Sequence, residues 1–222
     1  MLRIARWWNG PAAVPDYATT FSGTQPMLFA GTGTLAQRIR PTLDGFTAVD
    51  LILAAERTDL PGMVQLQVED YPSGRVLRTA HVPAARAPAG SVWDRRPGSP
   101  GEQWLTFGFE PLPDSAGQEY RLVLSYPPPD GVDQPGSRLA TLARFSSSYA
   151  SDQMSINGSP AAGVLLLRLA AAGTHGQAVQ VALANLARTQ PLATGTLIVP
   201  AIVAALALCF AGGLVAALAR SR

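Results

Sequence analysis

Met63-Val-Gln-Leu-Gln-Val-Glu69 alternates apolar and polar residues without a break. A strand sends successive side chains to opposite faces, so Val64, Leu66 and Val68 point one way and Gln65, Gln67 and Glu69 the other. The stretch predicts a strand with one dry face and one wet face. Tyr71-Pro-Ser-Gly74 follows as a turn, and residues 75–82 return as the hairpin partner.

The same period recurs on both sides. Gln103-Trp-Leu-Thr-Phe-Gly-Phe-Glu110 puts Leu105, Phe107 and Phe109 on one face and Trp104 on the other. Residues 119–126 bring Tyr120, Leu122, Leu124 and Tyr126 together. Upstream, residues 35–41 form a short run that ends at Pro41, and residues 46–54 form a longer one after the turn pair Asp44-Gly45. Weaker runs lie at 139–145 and 153–157, and residues 163–170 read as a more fully buried strand. Residues 111–117 and 127–131 carry turn chemistry, and residues 83–101 form a long Pro, Gly, Ala and Arg loop. About six to nine short strands with no amphipathic helix between them predict an antiparallel, jelly-roll-like β-sandwich rather than a parallel α/β sheet.

The second organising stretch is residues 197–219, which contain no charged side chain; the uncharged segment begins at Thr189. As a helix of roughly 23 residues it would reach about 35 Å, enough to cross a bilayer core of about 30 Å. It reads as a single C-terminal transmembrane helix, the alternative being a buried helix of a soluble protein. Arg220 and Arg222 follow it, against Arg188 before it. That bias places the C-terminus in the cytoplasm and the domain outside the cell membrane. Within the span, Ala201, Ala205, Cys209, Gly213 and Ala217 form a four-residue row of small side chains. Ile198, Ile202, Leu206, Phe210, Leu214 and Leu218 form the neighbouring row of large ones. Small rows let helix backbones approach closely in lipid, so this row is the candidate helix-packing face. An Ala-rich composition also produces such rows without any partner.

The chain thus divides into an irregular N-terminal arm (residues 1–27), a sandwich (28–170), a juxtamembrane linker (171–195), a transmembrane helix (196–219) and a basic tail (220–222). In the arm, Arg3, Arg6, Trp7 and Trp8 lie either at a membrane interface or in a loop packed on the domain. In the linker, residues 177–188 fit a helix through Val179, Leu183 and Leu186, or a last strand through Val179, Val181 and Leu183. Met1 to Gly10 holds two Arg but no apolar core, so it does not read as a signal peptide. Either the natural start lies upstream, or a signal has been lost, or the chain inserts by its C-terminal helix and the domain stays cytoplasmic.

Composition narrows the function classes. The chain has 222 residues, 17 basic and 15 acidic, for a net charge of +2, and every basic residue is Arg. That balance is too small for a nucleic-acid partner, and no run of one sign occurs. Cys209 is the only cysteine and lies inside the span, which excludes an intrachain disulfide and a thiolate metal site.

The order Leu35-Ala-Gln37, Asp44-Gly45-Phe46, the Val64–Val68 strand, Trp104-Leu-Thr-Phe-Gly-Phe109, Pro111-Leu-Pro-Asp-Ser115, Tyr120-Arg-Leu-Val-Leu124, Tyr149 and Ile156-Asn-Gly158 carries a resemblance. It resembles the extracytoplasmic jelly-roll sandwiches of bacterial polytopic membrane proteins, often glycosyltransferase-like ones. In outline it is also similar to galactose-binding-like carbohydrate modules. The likeness covers about residues 28–170, and its motifs are structural. The chain departs from the polytopic proteins in having one span, so no catalytic membrane domain and no active-site residues carry over.

Candidate chemistry is sparse. His81 and His175 are the only histidines and offer no metal-ligand spacing. Ser115 lacks a Gly-x-Ser-x-Gly elbow and reads as a turn-capping side chain. Gly31-Thr-Gly33 lacks the third glycine and the helix of a dinucleotide fold. Asp114, Asp130, Asp133 and Asp152 sit in loops without the spacing of a calcium site. Glu102, Glu110 and Glu119 read as solvated strand-end charges or as paired carboxylates for glycoside hydrolysis. Asn157-Gly-Ser159 fits an N-glycosylation triplet, with Pro160 after it. Trp93 and Trp104 are the candidates for sugar stacking; alternatively a sheet, a loop or the membrane surface covers Trp104.

The expectation is a non-enzymatic, membrane-anchored accessory protein without cofactor or metal. It would present an extracytoplasmic sandwich and dock, through the span, on other membrane subunits or on a second copy. The alternative is a surface carbohydrate-binding module whose partner is a polysaccharide.

Overall fold

The computed structural model describes residues 9–18, 24–29, 33–97, 99–127, 138–146 and 153–181, without the side chains of Tyr17, Ala18 and Trp93. The proposed span and its row Ala201, Ala205, Cys209, Gly213 and Ala217 lie outside the described residues, as do Trp7 and Trp8. Among the described residues, no helix is long and apolar enough to cross a membrane.

Among the described residues, fourteen strands run in chain order: β1 (Pro11–Ala18), β2 (Thr24–Phe29), β3 (Thr34–Ile39), β4 (Phe46–Leu51), β5 (Leu53–Ala55), β6 (Met63–Asp70) and β7 (Val76–Pro83) in the first half. Two short 3-10 turns, Ala84–Arg86 and Val92–Arg95, interrupt the long loop. Then come β8 (Leu105–Leu112), β9 (Tyr120–Ser125), β10 (Leu139–Phe145), β11 (Met154–Ile156), β12 (Ser159–Ala161), β13 (Gly163–Leu165) and β14 (Leu167–Thr174). The fold is mostly β, in antiparallel sheets.

The chain divides into a larger unit, Asp16–Ala172, and a smaller one, Met1–Pro15 with Gly173–Arg222. In the larger unit, six strands form one sheet in the order β12-β11-β3-β9-β6-β7. The alternation seen in β6 sets its faces: Val64, Leu66 and Val68 are fully buried, as are Leu122 and Leu124 of β9 and Leu35 of β3. Burying each such side chain contributes about 1.5–3 kcal/mol.

The opposing layer is built from β14-β4-β8 and β13-β10-β2. Residues 46–54, expected as one strand, break at Ile52. β4 pairs β8 and β14, whereas β5 pairs β10. The run 163–170 breaks in the same way at Leu166, with β13 on β10 and β14 on β4. Two buried polar contacts hold this corner. Thr141 Oγ1 donates to Ile52 O at 3.0 Å, and Leu166 N donates to Leu142 O at 2.8 Å. At the corner both faces of the strands are dry: Leu51, Ile52, Leu53, Ala54 and Ala55 are each at most 1% exposed.

The two layers meet in one core. Phe46 of β4 lies 5.0 Å, edge to face, from Phe109 of β8 and 6.1 Å from Tyr120 of β9. Across the layers, Leu165 N donates to the side-chain oxygen of Gln37, a buried polar residue of β3. The molecule is β-sandwich-like, compatible with a jelly roll.

Two strands lie where the sequence predicts an irregular arm. Pro11, Pro15 and Pro26 hid them, because proline removes a ladder donor. Pro26 is tolerated because, among the described residues, β2 is an end strand paired with β10. Asp16 of β1 caps the turn before β4, accepting from Thr42 N at 2.9 Å and Leu43 N at 3.3 Å.

In the smaller unit, the helix-or-strand choice at residue 177 resolves to helix: residues 175–181 are helical. Thr174 Oγ1 accepts from Gln177 N at 3.3 Å, and Gln177 Oε1 accepts from Thr174 N at 2.8 Å. This reciprocal capping box satisfies two orphan donors of the first turn. A Cβ on Gly173 would collide with Val14 Cγ2 and Gln177 Oε1, so the close approach there requires glycine.

Candidate functional site

Trp104 stands just before β8, out of phase with Leu105 and Phe107 as its alternation predicts. It is half-buried and packs on a small second core of Ile52, Ala54, Val92, Leu142 and Leu166. The 3-10 turn at Val92 covers that core, so the long loop is a lid over the outer side of the β5–β10 corner. The guanidinium of Arg168 sits 3.8 Å from the centre of the Trp104 ring. Trp104 Nε1 donates to Glu102 Oε1 at 2.6 Å, and Arg168 Nη2 lies 3.2 Å from the same oxygen. Arg168 therefore occupies one face of the ring, and Glu102 takes its N–H. Trp93 lies in the Val92–Arg95 turn, with its side chain outside the described set.

The outer face of the six-stranded sheet has a different chemistry. The β6 residues Gln65 and Gln67, predicted to face water, are half-buried and point outward between β9 and β7. Thr34 and Ser125, both half-buried, continue the face across β3 and β9. At one end Arg121 Nε and Nη2 both reach Glu69 Oε2 at 2.6 Å. At the end of β3, Arg38 lies over the Tyr71 ring at 5.3 Å. Beside it, Gln37, Arg38, Ile39, Arg40, Glu119 and Gln153 line an open groove of about 260 Å³. Arg40 Nε is held there by Gly117 O at 2.8 Å.

The other candidates occupy separate places. Ser115 is fully buried; its Oγ accepts from Phe46 N at 2.9 Å and donates to Leu43 O at 3.1 Å. Both bonds tie the turn before β4 to the turn after β8, which is the capping role the sequence suggests. His81 is exposed on β7, and His175 Nδ1 lies 3.1 Å from Gly10 O. Glu110 lies 3.7 Å from Arg78, which also donates to the carbonyls of Glu110 and Pro111 and so links β7 to β8. Asp114 sits at positive φ in its turn; Asp130, Asp133 and Asp152 lie outside the described residues. Among the described residues, no group of three His, Cys, Asp or Glu could hold a metal ion. Asn157 takes a left-handed conformation at the β11–β12 turn and accepts from Thr34 N at 2.8 Å.

Two buried tyrosines have raised pKa values. Tyr120 is raised mainly by burial and then by the charges of Asp70, Asp114 and Asp44. Tyr126 is raised by burial against a smaller opposing effect of Arg57, and its hydroxyl donates to Pro61 O at 2.6 Å.

Sequence reading missed the Arg168–Trp104–Glu102 cluster, because it joins β14 to residues more than sixty positions away. The capping box at Thr174 was also missed, although Thr-x-x-Gln is its sequence signature. No family model matches the chain, and no curated protein matches it. Among solved structures it is similar to the structure of infectious bursal disease virus Gx strain, at 13% identity and a TM-score of 0.27. The match covers 74% of this chain and 37% of that one, so it spans little more than a third of that chain's length.

Proposed function

We propose that the chain is a membrane-anchored, non-enzymatic accessory protein that presents its sandwich outside the cell membrane and docks on a larger membrane assembly. The observation that carries this reading is the uncharged stretch from Thr189 to Ala219, closed by Arg220 and Arg222. The engaged state of Ser115, Glu102 and Glu110 adds support, since each serves a turn, a ring or an ion pair. The test is carbonate extraction of membranes carrying the full chain, then native mass analysis after detergent release. Retention in the membrane with co-purifying subunits is expected. Release by carbonate would remove the anchor from the proposal, and a clean monomer would remove the docking.

A second reading, a surface carbohydrate-binding module, is favoured by the neutral hydrogen-bonding side chains on the outer face of the six-stranded sheet. It draws less from Trp104, where Arg168 lies over the ring.

A further inference from the structure

The register of the six-stranded sheet aligns side chains other than Arg, Asp and Glu in two adjacent rows. One row runs Thr34, Ser125, Gln65, His81 across β3, β9, β6 and β7. The next runs Ser155, Ala36, Val123, Gln67, Thr79, beginning on β11. Neighbouring strands are about 4.8 Å apart and the rows about 7 Å apart, so the field is roughly 19 Å wide. None of the chain's 17 basic and 15 acidic residues falls on either row. In the bordering row Arg121 and Glu69 pair at 2.6 Å, and Arg38 beside them lies over the Tyr71 ring.

Polar side chains on an outer sheet face are ordinary in themselves. Here they are also unengaged. Among the described residues, the side chains of Gln65, Gln67, Thr79, His81 and Ser125 make no hydrogen bond within the protein. The outer side of the opposite layer contrasts with this. There Thr106 Oγ1 donates to Asp50 at 2.7 Å, Thr47 Oγ1 donates to Phe109 O at 2.7 Å, and Arg168 pairs with Glu102.

We propose that this face binds a neutral oligosaccharide laid across β9, β6 and β7, with Gln65, Gln67, Ser125 and Thr79 hydrogen-bonding its hydroxyls. The inference rests on the carbohydrate reading above and places its site. A sugar hydroxyl both donates and accepts, and so do a carboxamide and a Ser or Thr hydroxyl. Val123, half-buried at the middle of the second row, offers an apolar contact to the C–H side of a sugar ring, with the buried Ala36 beside it. The strand spacing is close to the length of one such ring, so successive residues meet successive strands. An acidic glycan would find no counter-charge on the two rows. A protein partner would call for the aromatic or Arg anchors that dominate protein interfaces, and the rows hold neither.

The test uses the full chain in detergent, with cellohexaose, xylohexaose and maltohexaose as neutral probes and polygalacturonate as the acidic one, read by calorimetry. At least one neutral probe should bind, and more tightly than polygalacturonate. Gln67→Ala combined with Thr79→Ala should weaken it by about tenfold or more, and Val123→Arg should abolish it, with the thermal midpoint as the folding control. Should Val123→Arg unfold the domain, the paired alanine variant decides. Binding that survives that variant overturns the placement while leaving the carbohydrate reading standing. If no neutral probe binds, both fail; a preference for polygalacturonate overturns the neutral ligand.

Discussion

Arg168 and Trp104 form a stacked pair: the guanidinium carbon lies 3.8 Å from the ring centre, and both side chains converge on one oxygen of Glu102. The pair clamps β14 to the residue that opens β8. Both members are partly exposed, so solvent screens the charges and the stacked contact should outweigh the ion pair. A double-mutant cycle of Arg168→Ala and Trp104→Phe should give a coupling of about 0.5–1 kcal/mol in urea unfolding. A coupling indistinguishable from zero would mean that the stacked geometry adds nothing.

Phe107 is fully buried in the core between the layers. Phe107→Ala should lower unfolding stability by about 3–5 kcal/mol, through lost transfer energy and the cavity left behind. The urea midpoint reads this directly, and a tolerated Phe107→Asp would show that the inward face of β8 is misassigned.

Ser115 joins two turns through its hydroxyl. Ser115→Ala leaves Phe46 N and Leu43 O without that partner in a buried place. The loss should be about 1–3 kcal/mol, the cost of a stranded buried donor. A change within error of wild type would place water at Phe46 N.

Tyr120 and Tyr126 make the fold sensitive to alkali. Burial raises both folded pKa values, so above about pH 10 the unfolded chain has released tyrosine protons that the folded chain still holds. Their contribution is therefore intact below pH 10 and falls as pH rises towards the raised folded values. Tyr126→Phe should flatten the decline in thermal midpoint over that window. An equal slope in the variant would assign the decline to other groups.

Gly213 is the fourth of the five residues in the small-residue row of the proposed span. Gly213→Leu should release the chain from its complex while leaving it in the membrane fraction, because a large side chain keeps the helix backbones apart. If Gly213→Leu and Leu214→Ala both co-purify as wild type does, the helix is an anchor without a packing face.

The sequence alone determined the strand class, the inward faces and most turns, because these are local. Alternation in residues 63–69, 105–109 and 120–126 needs only a period of two and one dry side to be read. The proposed anchor rests on sequence alone, on hydropathy and flanking Arg, and lies outside the described residues. Tertiary structure decided what depends on distant partners. Residues 46–54 and 163–170 look like unbroken buried strands, since both faces are dry. Only pairing with β10 shows that each bends at one residue, Ile52 and Leu166, to pass from one sheet to the next. β1 and β2 were hidden by prolines that only an end-strand position tolerates. Gln65 and Gln67 were legible as wet, but their neighbours Ser125, Thr34, Thr79 and His81 come from three other strands. The neutral field therefore exists only once the register of β3, β9, β6 and β7 is set. Trp104 was legible as facing away from Phe107; that Arg168 lies over it was decided by β14, sixty-four residues further along the chain.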